Sequence, residues 1–254
     1  MITQTGMDTG PPLLPGHSAL YLDFDGTLAE LAQSPDHVVV DESLPPLLAT
    51  LAGELDGALA VLTGRRLAVI DALIAPVALA GAGLHGAELR PKPGVTIFRG
   101  EPAVAAPLVR RLRERFGDDP RLLVEDKEVA VALHFRRAPA RAAECREAMR
   151  AFAPPGLFDV IDGSEVVEAR PRGTDKGAAL RALSELAPFA GRVPVCVGDD
   201  RTDEDGIAAA QELSGFGVKV GSDASAARYR LDTVDDVHRW LRASLAGLAR
   251  ERAQ

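Results

Sequence analysis

Short runs of unbroken apolar residues alternate along the chain with stretches whose apolar positions recur every three or four residues. Ala19 to Phe24, Ala58 to Leu62, Val77 to Ala80 and Val193 to Val197 are of the first kind. A strand that is apolar at every position, rather than at alternate ones, is covered on both faces, as in a parallel sheet. Leu44 to Leu55, Leu67 to Ile74 and Lys176 to Leu186 are of the second kind and predict helices. This rhythm predicts an α/β fold with a doubly wound, Rossmann-like parallel-sheet core.

The middle of the chain changes character. Between Gly94 and Arg170 the pattern predicts a strand (Val95 to Phe98), a helix (Pro102 to Phe116) and two strands (Leu122 to Glu125, Glu128 to Phe135). A second helix (Pro139 to Phe152) and two further strands (Phe158 to Asp162, Glu165 to Ala169) follow. Tight turns at Asp126-Lys127 and Asp162-Gly163-Ser164 join adjacent strands, so these are antiparallel hairpins. The expected organisation is a core split into residues 1–91 and 172–254, with an inserted α+β cap domain over 92–171. Residues 1 to about 17 read as a loose leader.

Composition narrows the partners. The chain has 254 residues and a formal net charge of −8, with 46% hydrophobic and 26% charged residues. That is an ordinary globular composition. Its acidic balance argues against a nucleic-acid or anionic-membrane surface. Cys145 and Cys196 sit in apolar-periodic segments and read as small buried hydrophobes rather than a disulfide framework. The N-terminus shows no signal-peptide pattern, and the run from Ala72 to Ala87 is too short and too interrupted to span a bilayer. The expectation is a cytoplasmic protein, monomeric or weakly oligomeric. Four lysines, Lys92, Lys127, Lys176 and Lys219, stand against 25 arginines. A lysine kept in such a chain hints at a need for a compact ammonium.

Three of the buried-type strands end in polar clusters: Asp23-Phe24-Asp25-Gly26-Thr27, Thr63-Gly64-Arg65 and Gly198-Asp199-Asp200. Ligands of parallel sheets bind beyond the carboxyl ends of the strands, so these clusters should meet at one edge. On an extended chain Asp23 and Asp25 lie on the same side, roughly 6 to 7 Å apart. Two carboxylates that close repel unless a cation or a proton sits between them. With Asp199 and Asp200 they make an oxygen-rich site suited to Mg²⁺. Thr174 is expected to cap a helix that carries Lys176 in its first turn.

In order and kind, these four elements resemble the four motifs of the haloacid-dehalogenase-like phosphatase superfamily. DFDGTL at 23–28 looks like the first, Thr63 the second, Lys176 the third and GDD at 198–200 the fourth. The resemblance implies that Asp23 attacks phosphorus and that Asp25 is the acid and base. It also implies that Mg²⁺ and Lys176 neutralise phosphoryl charge while Thr63 holds a phosphoryl oxygen. Only 40 residues separate Asp23 from Thr63, whereas 113 separate Thr63 from Lys176, so the insertion resembles one at the superfamily's second cap position.

Further strings resemble the trehalose-6-phosphate phosphatases: GLHGAE at 83–88, EDKEVAVALHFR at 125–136, VVEARPRGTDKG at 166–177 and GDDRTDED at 198–205. By that resemblance Glu125, Lys127, His134, Arg136 and Glu168 grip the sugar from the cap. His85 and Glu88 stand at the core–cap junction, Gly26 and Arg65 contact substrate, and Asp203 joins the metal set. Gly206, Ile207 and Ala169 depart from the family's usual residues at what look like packing positions. The implied activity is Mg²⁺-dependent hydrolysis of trehalose 6-phosphate through an aspartyl-phosphate. Another sugar phosphate such as sucrose 6-phosphate, or a phosphomutase reaction, is the alternative, and a non-catalytic regulatory domain would be expected to lack the nucleophile or the lysine.

Blander readings exist for single residues. Thr63 can be a strand-end hydroxyl making a turn bond, Lys176 a solvated helix residue, and His134 a satisfied core histidine. Asp203 and Glu204 can serve only as a negative helix N-terminus. The basic run Arg110 to Arg115 reads as the wet face of a cap helix.

Overall fold

The computed structural model describes residues 8–31, 37–163 and 165–252. Residues 1–7 of the expected leader and Ser164 of the second expected turn lie outside the described residues. The chain runs β1 (Asp8–Thr9), β2 (Ser18–Leu22), α1 (Leu44–Glu54), β3 (Leu59–Leu62), α2 (Leu67–Leu73), β4 (Ala80–Gly83), β5 (Glu88–Lys92) and β6 (Val95–Phe98). Then come α3 (Pro102–Phe116), β7 (Leu123–Asp126), β8 (Val131–His134), α4 (Ala142–Phe152), β9 (Phe158–Asp162) and β10 (Val166–Pro171). The last elements are α5 (Lys176–Ser184), β11 (Val193–Gly198), α6 (Glu204–Glu212), β12 (Phe216–Val220), β13 (Tyr229–Leu231) and α7 (Val234–Arg252). Two compact units result, one of Met1–Gly86, Arg90–Thr96 and Asp175–Gln254, the other of Ala87–Leu89 and Ile97–Thr174.

The first unit is built on a sheet of order β1-β13-β12-β11-β2-β3-β4-β5-β6. Every pairing from β1 to β4 is parallel. All residues of β2 and β3 are buried, as strands with both faces covered must be. Helices α5 and α6 pack on one another and on β3, β11 and β12, while α1 packs on α7. From β2 the chain proceeds to β3 on one side, and β11 lies on the other. The carboxyl ends of β2 and β11 therefore flank the point where the winding reverses, where such sheets bind ligands.

Two strand positions differ from the sequence reading. The strand expected at Val77–Ala80 forms instead at Ala80–Gly83, a run of alanine and glycine that no β-propensity favours. Tertiary packing explains the choice: a Cβ at Gly81 would lie 2.5 Å from the Val61 carbonyl oxygen, so only a residue without one fits against β3. The strand Val95–Phe98, expected in the inserted module, lies beside β5 at the edge of the large sheet. It follows β5 after only Pro93 and Gly94, so the chain turns straight back on itself.

The second unit has a four-stranded antiparallel sheet of order β7-β8-β10-β9. Ala105, Leu108, Leu112 and Phe116 recur at helical spacing on α3 and pack with Cys145 and Met149 of α4 on Val131, Leu133, Val167 and Ala169 of the sheet. Strand periodicity turns Ala132, His134, Glu168 and Arg170 to the opposite face. Cys145 and Cys196 are both free and buried. Ile207 and Ala169 are fully buried. A Cβ on Gly206 would meet the Cys196 sulfur at 2.9 Å, so these departures from the family pattern are packing positions. Among the described residues no helix is long and apolar enough to cross a membrane.

Candidate active site

Strand β2 ends at Leu22, but the Asp23 N–H still donates to the Val197 carbonyl at 2.9 Å, keeping Asp23 in line with β11. Beyond it the chain curls, with the Phe24 carbonyl accepting from Leu28 and Ala29 at 2.8 and 2.9 Å. Gly26 has φ +81, and a Cβ there would lie 2.1 Å from an Asp199 carboxylate oxygen. Glycine is thus required twice over, for the turn and for the close approach. Strand β11 delivers Gly198, Asp199 and Asp200 beside this loop. A Cβ on Gly198 would overlap Asp203, 2.2 Å from its Cγ, so the missing side chain is the space that Asp203 fills.

Asp203 is fixed from two sides. Its Oδ2 accepts from the Asp200 N–H at 3.0 Å, closing a reciprocal cap over the short helical turn 201–203. Its Oδ1 lies 2.5 Å from Lys176 Nζ, which is also 2.5 Å from Asp23 Oδ1. Lys176, Asp23 and Asp203 are 3%, 6% and 1% exposed, so the reading of Lys176 as a solvated helix residue does not hold. Lys176 is the first residue of α5, but the cap is Asp175, whose carboxylate accepts from the Ala178 N–H at 2.6 Å. Thr174, the expected cap, bonds the Pro171 carbonyl at 2.6 Å. The longer reach needed from one residue further back explains the exchange of roles.

Carboxylate oxygens of Asp23, Asp199 and Asp203 all lie within 4.8 Å of one another, a group that could hold a metal ion. Burial, then the Asp203 charge, push the Asp23 carboxyl well above the ordinary range, against the pull of Lys176. Burial, then Asp203, raise Asp199 from 3.8 to about 6, partly offset by its hydrogen bond with Asp23 and by Lys176. Burial opposes the Lys176 ammonium, but the charges of Asp203 and Asp23 outweigh it and hold its pKa above the usual lysine value. With one lysine against three acids the centre carries a formal charge of −2. Thr27 adds a hydroxyl 3.4 Å from Asp199 Oδ1.

Asp25 and Asp200 lie outside this group. Arg65 grips Asp25 in a two-pronged contact, Nε to Oδ2 at 2.7 Å and Nη2 to Oδ1 at 2.9 Å. Strand β2 stops at Leu22, and Asp25 lies beyond it, just before the turn at Gly26. Asp200 is exposed and its carboxylate accepts from the Arg201 N–H. Thr63 is buried, and its hydroxyl oxygen accepts from the Arg65 N–H at 3.0 Å, which is the turn bond of the blander reading. Next to it Leu84 and His85 both hold φ of 52, a left-handed pair costing on the order of 1 kcal/mol per residue. They are tied down by bonds from Leu84 N–H to the Arg65 carbonyl and from His85 N–H to the Thr63 carbonyl. Backbone strain sits where the sequence reading put a binding residue.

In the second unit the expected sugar-binding residues form pairs. His134 Nε2 lies 2.8 Å from Glu125, Lys127 Nζ lies 3.3 Å from Glu168, and Arg136 pairs with Glu165. Glu88 is buried on β5. Two residues escaped the sequence reading. Arg170 is buried, and its Nε has no hydrogen-bond partner among the described residues. Lys219 is 2% exposed and donates from Nζ to the Asp199 carbonyl. Its signal in the sequence was the scarcity of lysine.

A family model for trehalose-phosphatase matches residues 21–235. The chain is 40% identical over 246 residues to a trehalose-6-phosphate phosphatase of Escherichia coli (strain K12), covering 96% of this chain and 92% of that one. It is 40% identical over 205 residues to a probable trehalose-phosphate phosphatase of Sinorhizobium fredii (strain NBRC 101917 / NGR234), covering 80% and 77%. The fold is shared with the C-terminal domain of the C. albicans trehalose-6-phosphate phosphatase at a TM-score of 0.73 and 19% identity, covering 90% of this chain and 92% of that one. A trehalose-6-phosphate phosphatase related protein matches at 0.72 and 24% identity, covering 91% and 99%.

Proposed function

The chain belongs to the trehalose-phosphatase family, and from that membership we propose that it hydrolyses trehalose 6-phosphate to trehalose and orthophosphate through an aspartyl-phosphate on Asp23, with Mg²⁺ as cofactor. One observation carries the chemistry. Asp23 is a buried carboxylate held 2.5 Å from a buried lysine, at the sheet edge where Asp199 and Asp203 converge.

A carboxylate oxygen of Asp23 attacks phosphorus, and the bond from phosphorus to the sugar oxygen breaks. That oxygen takes a proton from Asp25, which Arg65 orients. Water then attacks the aspartyl-phosphate, giving a proton to Asp25, and the bond from phosphorus to Asp23 breaks to release orthophosphate. Lys176 spreads the phosphoryl charge, and Thr63 offers its hydroxyl to a phosphoryl oxygen. The oxygen-only donor set and formal charge of −2 suit a hard divalent cation, with Asp23, Asp199 and Asp203 as its holders. When bound, Mg²⁺ supplies charge neutralisation at the phosphoryl oxygens.

In the inserted unit, Glu125 with His134 and Lys127 with Glu168 supply donors and acceptors for hydroxyls of an uncharged sugar. Arg136 and Glu88 add further polar groups in that unit, while in the first unit His85 and Gly26 are substrate contacts. The reading includes a cytoplasmic enzyme on a small-molecule substrate, monomeric or weakly oligomeric, with neither nucleic acid nor membrane as partner. Phosphate release from trehalose, sucrose and glucose 6-phosphates, each with Mg²⁺ and with chelator, tests it. Trehalose 6-phosphate should be the best substrate and chelator should abolish turnover. Preference for another ester, or transfer of the phosphoryl group to a sugar hydroxyl, would replace the substrate assignment. Full activity in chelator would remove the cation.

A further inference from the structure

Two of the four lysines are used above, Lys176 for the phosphoryl group and Lys127 for the sugar. Lys219 has no role in that scheme. It lies on β12, one residue from the strand's carboxyl end and in register with Gly198 of β11. Its side chain is 2% exposed, and Nζ donates to the backbone carbonyl of Asp199. Among the described residues it makes no ion pair. A buried charge without a paired carboxylate is costly, unless the surrounding potential has the opposite sign. Here the potential is that of Asp23, Asp199 and Asp203, one of which owns the carbonyl that Nζ touches. An ammonium also suits this place better than a guanidinium, whose fork would demand further acceptors.

We propose that Lys219 is a positioning residue that sets the charge balance of the centre, weakening its hold on the divalent cation and strengthening its hold on the phosphoryl dianion. This rests on reading the centre as a metal-dependent phosphatase site. With Lys219 counted, the formal charge is −1 when empty, +1 with a divalent cation and −1 once a phosphoryl dianion joins. A neutral side chain there shifts each state down by one. The cation then meets a more negative site, and the dianion meets one with no net attraction.

The test uses Lys219→Met, which keeps the apolar stem, and Lys219→Gln, which keeps a donor for the Asp199 carbonyl. Thermal melts of the full chain are titrated with Mg²⁺, and with inorganic phosphate at saturating Mg²⁺. Both variants should reach half-saturation at roughly tenfold lower Mg²⁺ and roughly tenfold higher phosphate, each a change of about 1.4 kcal/mol. A purely structural lysine would weaken both ligands together, and unchanged midpoints or a shift in the same direction overturn the proposal. So does wild-type behaviour of Lys219→Gln alone, since the hydrogen bond and not the charge would then matter. If neither variant folds in chelator, Mg²⁺ must restore folding, and failure to fold in both buffers overturns it too. Wild-type turnover of trehalose 6-phosphate is measured alongside. Its absence would sink the proposed function, while the two titrations still decide the role of Lys219.

Discussion

Asp23→Asn should abolish turnover and yet stabilise the metal-free protein. The oxygens of Asp23, Asp199 and Asp203 lie within 4.8 Å of one another. At an effective dielectric near 20, each like-charged pair at that separation costs about 3.5 kcal/mol, so an ionised Asp23 carries about 7 kcal/mol of repulsion, which adds to burial in holding its carboxyl above the ordinary range. Its contact with Lys176 at 2.5 Å returns about 6 to 7 kcal/mol on the same scale. The two nearly cancel, which leaves the several kcal/mol of burying a carboxylate with no offset. An asparagine removes the repulsion and most of the burial cost, and its amide oxygen still accepts from Lys176, which keeps Asp203 as its counter-ion. We expect a gain of roughly 1 to 3 kcal/mol in chelator, or a melting temperature higher by about 2 to 10 °C for a chain of this length. Differential scanning calorimetry at pH 7.5, in chelator and in excess Mg²⁺, reads the effect. Wild type should gain more than the variant when Mg²⁺ is added. Phosphate release should fall by about 10³ or more, because no carboxylate remains to attack. A variant that melts below wild type in chelator refutes the charge reasoning, and one that turns over normally refutes the nucleophile.

The shift of Asp199 to about 6 sets a pH dependence. Its folded-state pKa stands above the unfolded value of 3.8, so the folded protein binds the extra proton between these limits. Metal-free stability therefore falls as pH rises through that window, and the deficit is complete above pH 6 or so. A cation removes the deficit, so the melting-temperature gain on adding Mg²⁺ should be larger at pH 7.5 than at pH 5; an equal or reversed gain contradicts this. Gly198→Ala should cost about 1 to 3 kcal/mol in urea melts and at least tenfold in turnover, because its Cβ displaces Asp203. Gly53→Ala in α1, where the added Cβ meets nothing within 4 Å, should instead stabilise by about 0.5 to 1 kcal/mol. Wild-type behaviour of the first, or a loss in the second, would contradict the packing. Arg65→Lys should lower kcat by about tenfold or more with a smaller change in KM, because an ammonium cannot replace the two-pronged grip on Asp25. Steady-state kinetics showing only a KM change would remove that orienting role.

The parts of the fold legible in the sequence were those whose signal is local. Helix α3 occupies the span that its apolar periodicity predicts, and β2, β3 and β11 follow their unbroken apolar runs. Strand β4 was misplaced because its residues are chosen by the backbone of β3 rather than by their own preference. Strand β12 went unread because Gly217 and Lys219 break its apolar run, although every residue of it is buried. The same holds at the site. Spacing along the chain brought Asp23, Asp199 and Lys176 together correctly, since each ends or opens an element at one edge of the sheet. It could not separate Asp203 from Asp200 by structure, because their contrast arises from a cap that turns one inward and leaves the other in solvent. Nor could it foresee the partner of Asp25, which comes from the end of a different strand.

Charge is handled in opposite ways in the two units, and the substrate proposed here explains why. The first unit gathers three carboxylates, two of them buried, with only Lys176 paired to them, and tolerates the imbalance. The second pairs Glu125 with His134, Lys127 with Glu168 and Arg136 with Glu165, so the charges of these six groups are already matched. A phosphoryl dianion with its cation brings charge of its own, and a site left out of balance gains most when both arrive. An uncharged sugar brings only hydroxyls, which can exchange with existing hydrogen bonds but cannot neutralise a buried charge. A site of unpaired ions would reject it, whereas pairs can open toward it at little net cost. The same logic gives Lys219 its place: an imbalance that favours the cation too strongly would oppose the anion, and one buried ammonium behind Asp199 moves the centre back between the two.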